Sequence, residues 1–208
     1  MDLNTKYTPQ SWPDHPENST LEGKNKFVGF WLFLGGETVT FASLFATYLA
    51  LKNKGPSGME FTTQGLFELP LVFIMTMLLL TSSLTSVYAM YHMKNYNFKA
   101  MQAWLMVTVL LGAAFLGFEI YEFKHYVHEG FTYGQSAFSS SFFTLVGTHG
   151  AHVLVGLVWI TLLMVRNSKR GLNLYNAPKF YLASLYWHFI DVVWVFIFTV
   201  VYLMGVMG

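Results

Sequence analysis

Five stretches of the chain are apolar on every side for longer than a bilayer core is thick: 27–50, 68–91, 98–123, 138–165 and 178–207. About 20 apolar residues in helix cross the hydrocarbon, and inside it every backbone N–H and C=O must find a partner without help from water. A helix provides those partners within the segment itself. The sequence therefore predicts an all-α integral membrane protein, a bundle of five transmembrane helices. Charged residues make up only 11% of the 208 residues, against about 25% in soluble domains. The segment 1–26 is polar, contains Pro13 and Pro16, and lacks the short apolar core of a secretory signal. It is expected to be a cytoplasmic tail ahead of a membrane domain over 27–208. The connections between spans are short, so helices adjacent in sequence are expected to be antiparallel neighbours. No internal repeat is evident.

Lysine and arginine in short loops choose the orientation. With the N-terminus inside, the inner loops hold nine of the 12 basic residues: Lys6, Lys24, Lys26, Lys94, Lys99, Arg166, Lys169, Arg170 and Lys179. The outer loops hold Lys52, Lys54 and Lys124. This bias predicts an inner N-terminus and an outer C-terminus. Small residues at helical spacing, Ala113 with Gly117 and Gly147 with Ala151, are expected to allow close helix approach.

The informative residues are ionisable groups deep in the spans, where a charge costs about 2.5–3.5 kcal/mol. Glu37, His149, His152, His188 and Asp191 all fall at similar depth. Two unpaired carboxylates there would cost roughly 5–7 kcal/mol, so partners or protons must offset them. An unpaired Glu37 is expected to stay uncharged, because burial penalises the ionised form. Residues three apart share a helix face. That spacing predicts a polar seam between the fourth and fifth helices, with His149 and His152 pointing one way and Asp191 accepting a hydrogen bond from His188. Gly156, seven residues after His149, would let a neighbouring backbone approach. Near the outer border, Glu68 precedes Pro70 at a helix start, which favours an anion. Glu119 and Glu122 occupy last turns, which do not, so compensation by Lys124, His125 and His128, solvation, or contact with lipid headgroups or a partner subunit is expected there.

The chain has no cysteine, which removes thiolate catalysis, Cys-bound zinc and iron–sulfur clusters. Its net charge of +1 gives no field to attract nucleic acid. No phosphate-cradling loop or nucleophile elbow is present. Three histidines with an aspartate leave three readings open: a structural hydrogen-bonded seam, a proton or ion pathway, and a bound haem or metal. A small proton-coupled transporter using Glu37 and Asp191 is the competing functional class, although such proteins commonly carry internal repeats.

Five motifs occur together in order: GFWLFLGGE (29–37), FELP (67–70), GFEIYEF (117–123), GTHGAHVLVG (147–156) and YWHFIDVVWVFIFTVVYLMG (186–205). In order and spacing they resemble subunit III of the haem–copper respiratory oxidases, over nearly the whole chain from Phe27 onward. The resemblance implies an accessory subunit of a proton-translocating terminal oxidase of the bacterial cell membrane. Such a subunit binds no haem or copper itself, packs beside the catalytic subunit I, supports proton uptake and holds phospholipid. Its implied partners are oxidase subunits I and II, which hold the haem and copper, a small subunit IV, and membrane lipids. Cytochrome c would reach the complex through another subunit. LEGKNKF (21–27) leans toward the cytochrome c branch, with a quinol oxidase as the alternative. Glu37 falls on the family's membrane-embedded glutamate, and Glu68, Glu119, His149, His152, Trp187, His188 and Asp191 on other motif positions. The long family form has seven helices with a lipid-filled cleft after the second, and here the match begins at the third.

Overall fold

The computed structural model describes residues 8, 11–52, 69–128 and 130–207, with side chains to 205. Five helices in it are long and apolar enough to cross a membrane. They are α1 (Leu21–Leu51), α2 (Leu69–Lys94), α3 (Phe98–His128), α4 (Ala137–Asn167) and α5 (Ala177–Ile197). After α5 the helix continues as a π-helical segment, Phe198–Leu203, and a final α-turn, Met204–Met207. A helix covers each span expected from hydropathy, and the first helix begins at Leu21, ahead of Phe27. Thr20 caps α1, its side chain accepting from the Gly23 N–H at 3.0 Å. Ahead of it, Trp12 packs on Tyr96 in the α2–α3 turn with ring centroids 4.9 Å apart. Part of the expected tail is therefore helix, and part lies down on the bundle.

Local sequence fixes the other ends. Ser136 and Ser139 form a reciprocal capping box at the start of α4. Pro178 occupies the first turn of α5, where no N–H is needed. Gly171 takes a positive φ of 68° in the α4–α5 connection. Within the spans, Thr38, Thr47, Thr76, Thr81 and Thr108 return their hydroxyls to the carbonyl four residues back, which satisfies them without water.

Helices α2 and α3 form a tight hairpin, and α5 packs against α1, α2 and α4. The expectation that every sequential pair would be neighbours fails at α1, which rests chiefly on α4 and α5 rather than on α2. It does so along one stripe, Leu34, Phe41 and Tyr48, spaced seven apart. The rest of α1 is largely exposed.

Where four helices meet, Trp187 of α5 donates its indole N–H to Ser82 Oγ of α2 at 3.0 Å. Its ring fills the slots opened by Gly112 of α3 and Gly156 of α4, where an added Cβ would stand 2.5 and 3.1 Å from ring atoms. Gly156 thus admits an indole, not a backbone. Seven residues on, Trp194 donates to Thr76 of α2 at 3.0 Å and meets Phe115 edge-on at 4.6 Å. The small residues expected to seat close helices do not do so: a Cβ at Gly117 would meet nothing, and one at Gly147 only Phe123 at 3.7 Å.

Candidate functional site: the mid-depth polar groups

Glu37 and His152 find each other. His152 Nε2 lies 3.1 Å from Glu37 Oε2, joining α4 to α1, while Nδ1 lies 2.7 Å from the Thr148 carbonyl oxygen. A carbonyl only accepts, so Nδ1 must carry a proton. The bond to Glu37 is then either a carboxylic acid donating to a neutral imidazole or an imidazolium donating to a carboxylate. Both placements are net neutral, which removes the cost of a lone buried charge. Phe41 covers the imidazole, with centroids 5.1 Å apart. Replacing Glu37 by glutamine keeps a donor for Nε2. We expect that variant to assemble within about 1 kcal/mol of wild type, and Glu37→Leu to lose about 1–3 kcal/mol by stranding the imidazole. Thermal unfolding of the purified protein would distinguish the two.

His149 does not share that surroundings. It is fully buried between Phe115 and Trp194, with centroids 5.9 and 5.2 Å away, and neither ring nitrogen has a hydrogen-bond partner among the described residues. The two histidines were expected to point one way, yet one faces α1 and the other the interior of the bundle. Three residues turn a helix by about 300°, leaving the side chains roughly 60° apart. In a helix with neighbours on several sides, that is enough to separate them.

The expected hydrogen bond from His188 to Asp191 is likewise replaced. His188 Nδ1 lies 2.6 Å from Ser83 Oγ of α2, and its Nε2 is 3.4 Å from Ser184 Oγ. Ser83 also interacts with the Asp191 carboxyl, whose Oδ1 has no hydrogen-bond partner among the described residues. The seam therefore runs between α2 and α5, not α4 and α5. It continues through Ser86 and Ser184, whose hydroxyls are 2.8 Å apart, while Thr85 of α2 meets Thr108 of α3, also at 2.8 Å.

Glu119 and Glu122, expected at the lipid or subunit surface, are both 2% exposed and face inward. Tyr126 donates to Glu122 Oε1 at 2.6 Å, and Tyr202, from the π segment, to Oε2 at 3.1 Å. Glu119 presses on the α4 backbone at Gly150, where a Cβ would come 2.5 Å from Oε1. For Glu122 the outward assignment failed because two phenols satisfy its carboxyl inside the bundle; Glu119 is buried with neither carboxyl oxygen hydrogen-bonded among the described residues. Trp187, one of the family motif positions, is only 1% exposed and is a core residue of this chain rather than a contact for lipid or a partner subunit. Glu68 lies outside the described residues.

The run TSSLTS (81–86) supplies most of the unanticipated partners, since Ser82, Ser83, Thr85 and Ser86 all bond across to other helices. Five hydroxyls in six residues of an apolar span were the visible signal. Tyr202 had none, because its approach depends on the π segment.

This geometry defines a polytopic helical membrane subunit in which buried acids, imidazoles and indoles bind neighbouring helices to one another. Comparison with known proteins narrows the class. The family profile described as "Cytochrome c oxidase subunit III" matches residues 14–206. "Cytochrome c oxidase subunit 3" of Bacillus sp. (strain PS3) and that of Bacillus subtilis (strain 168) are each 71% identical over the full length of both chains. "Probable quinol oxidase subunit 3" of Staphylococcus saprophyticus is 54% identical, covering 88% of this chain and 91% of its own. The chain belongs to the cytochrome c oxidase subunit III family.

Proposed function

We propose that the chain is the non-redox accessory subunit of a proton-translocating cytochrome c oxidase in a bacterial plasma membrane. It steadies the catalytic subunit and binds lipid. Haem and copper belong to partner subunits I and II, a small subunit IV completes the complex, and cytochrome c docks elsewhere. The observation carrying this reading is full-length identity of 71% to relatives named for cytochrome c oxidase, against 54% to one named for a quinol oxidase. His152 bonds Glu37 and His188 bonds Ser83, contacts that hold helices together.

Lys26 at the start of α1 and Lys179 at the start of α5 both lie over the Tyr175 ring, with Arg166 of α4 within electrostatic reach. Three basic residues assigned to the inner loops thus meet at one end of the bundle. This supports a cytoplasmic N-terminus.

Gentle detergent extraction tests the proposal. The chain is expected to co-purify with a haem-containing partner whose complex oxidises reduced cytochrome c, and to show no Soret band when purified alone. A complex that accepts electrons only from a quinol would replace the donor. Stoichiometric haem on the lone chain, or proton-coupled solute uptake by it in liposomes, would overturn the reading.

A further inference from the structure

Helices α2 and α5 are parted near their Lys94 and Tyr181 ends by a groove of about 340 Å³. Lys94 and Tyr91 stand at one end, Val87, Met90 and Leu185 form its walls, and Ser184 and His188 complete the lining. From Lys94 to Val87 the helix rises about 10 Å, so the groove reaches a third of the way into a hydrocarbon core of about 30 Å. We propose that this groove is a water-filled inlet from the Lys94 end of the bundle, bringing water to His188 deep in the membrane. The inference goes beyond the proposed function and does not depend on which electron donor the complex uses.

Three observations favour water over a lipid tail. The walls are mostly apolar, but Ser184 and His188 line the far end, where an acyl chain needs apolar surface. The His188 Nε2 contact with Ser184 is long, at 3.4 Å, whereas Nδ1 is well bonded to Ser83 at 2.6 Å. That leaves Nε2 with capacity for a better partner. A cavity holds water when it is roomy and offers two to four polar groups, and here Lys94, Ser184, His188, Tyr91 and Tyr181 border the same space. The path also leads somewhere. Asp191, one helical turn beyond His188, has an Oδ1 that lacks a partner among the described residues. Water at His188 would come within one turn of this carboxyl.

Because the chain has no cysteine, single cysteines report access without background. In the membrane-embedded complex, Ser184→Cys and Met90→Cys, from opposite walls, would be exposed to a trimethylammonium thiosulfonate, with labelling read from the mass of this chain. Val158→Cys on an exposed face of α4 is the control within the span, and Ser168→Cys in the α4–α5 loop sets full reactivity. Thiolate forms in water and the charged reagent avoids hydrocarbon, so groove cysteines are expected to react about a hundredfold faster than Val158→Cys. In sealed vesicles they should react only from the Lys94 side. Groove cysteines as inert as Val158→Cys overturn the inlet. Reaction with N-ethylmaleimide alone would then assign the groove to lipid, and reaction with neither to a closed or covered space. Should Ser184→Cys fail to assemble, Met90→Cys alone decides.

Discussion

Trp187→Ala is expected to destabilise the fold by about 3 kcal/mol, the lower end of the range for large aromatic truncations in packed interiors. Two effects set that position. Lipid tails are as apolar as the side chains they would replace, so the hydrophobic transfer part of the cost shrinks in a membrane. The cavity part does not, because the ring is 1% exposed and no acyl chain can enter the space it leaves. The loss would be felt by four helices together, since the indole lies between Ser82, Gly112 and Gly156 on its way out from α5. Ser82 itself keeps a bond to the Leu79 carbonyl at 2.7 Å, so little of the cost comes from a stranded hydroxyl. Trp187→Phe, which retains most of the volume, is expected to lose about 1 kcal/mol, the worth of one hydrogen bond. Titration of the purified chain with dodecyl sulfate in mixed micelles measures both. An alanine variant no weaker than the phenylalanine variant would show that the slot collapses without cost.

The five crossings were legible because the lipid solvent leaves the backbone few choices, and their ends were less so. GKNK before Phe27 reads as a polar tail, yet Thr20 followed by Glu22 is a helix start, with the acid in the first turn where the dipole favours it. The list of deep polar residues was also legible, since each one violates the apolar pattern of its span. Their pairing was not. Helical spacing says which residues of one helix share a side, within about 60°, but says nothing of which helix lies opposite. Glu37 could not be matched to His152 until α1 was placed on α4, and sequence adjacency pointed α1 toward α2 instead. His188 illustrates the converse error. A carboxylate one turn away looked like the natural partner, but Ser83 sits across the interface at 2.6 Å. A hydroxyl on a facing helix can align with a ring nitrogen more directly than a group on the same helix can.

Glycine carried more information than its composition suggested. Gly112, Gly150 and Gly156 each make room for a side chain from another helix rather than for a backbone, two of them for one indole and the third for the Glu119 carboxyl. This bundle is therefore set by large polar-tipped groups lodged in slots. The slots fix where each hydrogen-bonding tip falls, and the tips fix the rotation of each helix. For the Trp187 indole, packing and polar satisfaction are the same constraint, whereas the Glu119 carboxyl in the Gly150 slot is packed without a hydrogen bond among the described residues.

Glu122→Leu is the second change expected to have a large effect, about 2–5 kcal/mol, because it removes the acceptor of two buried phenolic hydrogen bonds at once. One bond, from Tyr126, is local to α3, at 2.6 Å. The other, from Tyr202 at 3.1 Å, crosses to the segment beyond α5. That segment is π-helical over Phe198–Leu203, and the Met204 N–H bonds to the Thr199 carbonyl five residues back rather than four. A π segment packs an extra residue into a turn and leaves a less regular ladder, so something outside the ladder must repay it. Tyr202, fully buried against Trp194 and Phe142, makes that tie to Glu122. Cutting it should free the segment first and the rest of the bundle afterwards. Amide hydrogen exchange across 198–205 is expected to accelerate in Glu122→Leu while α2 and α3 stay protected. Glu122→Gln keeps one acceptor oxygen and should fall between leucine and wild type, and Tyr202→Phe should reproduce the local acceleration at a smaller total cost. Unchanged exchange at 198–205 in Glu122→Leu would mean that ring packing alone holds the segment, and that the carboxyl serves α3 only.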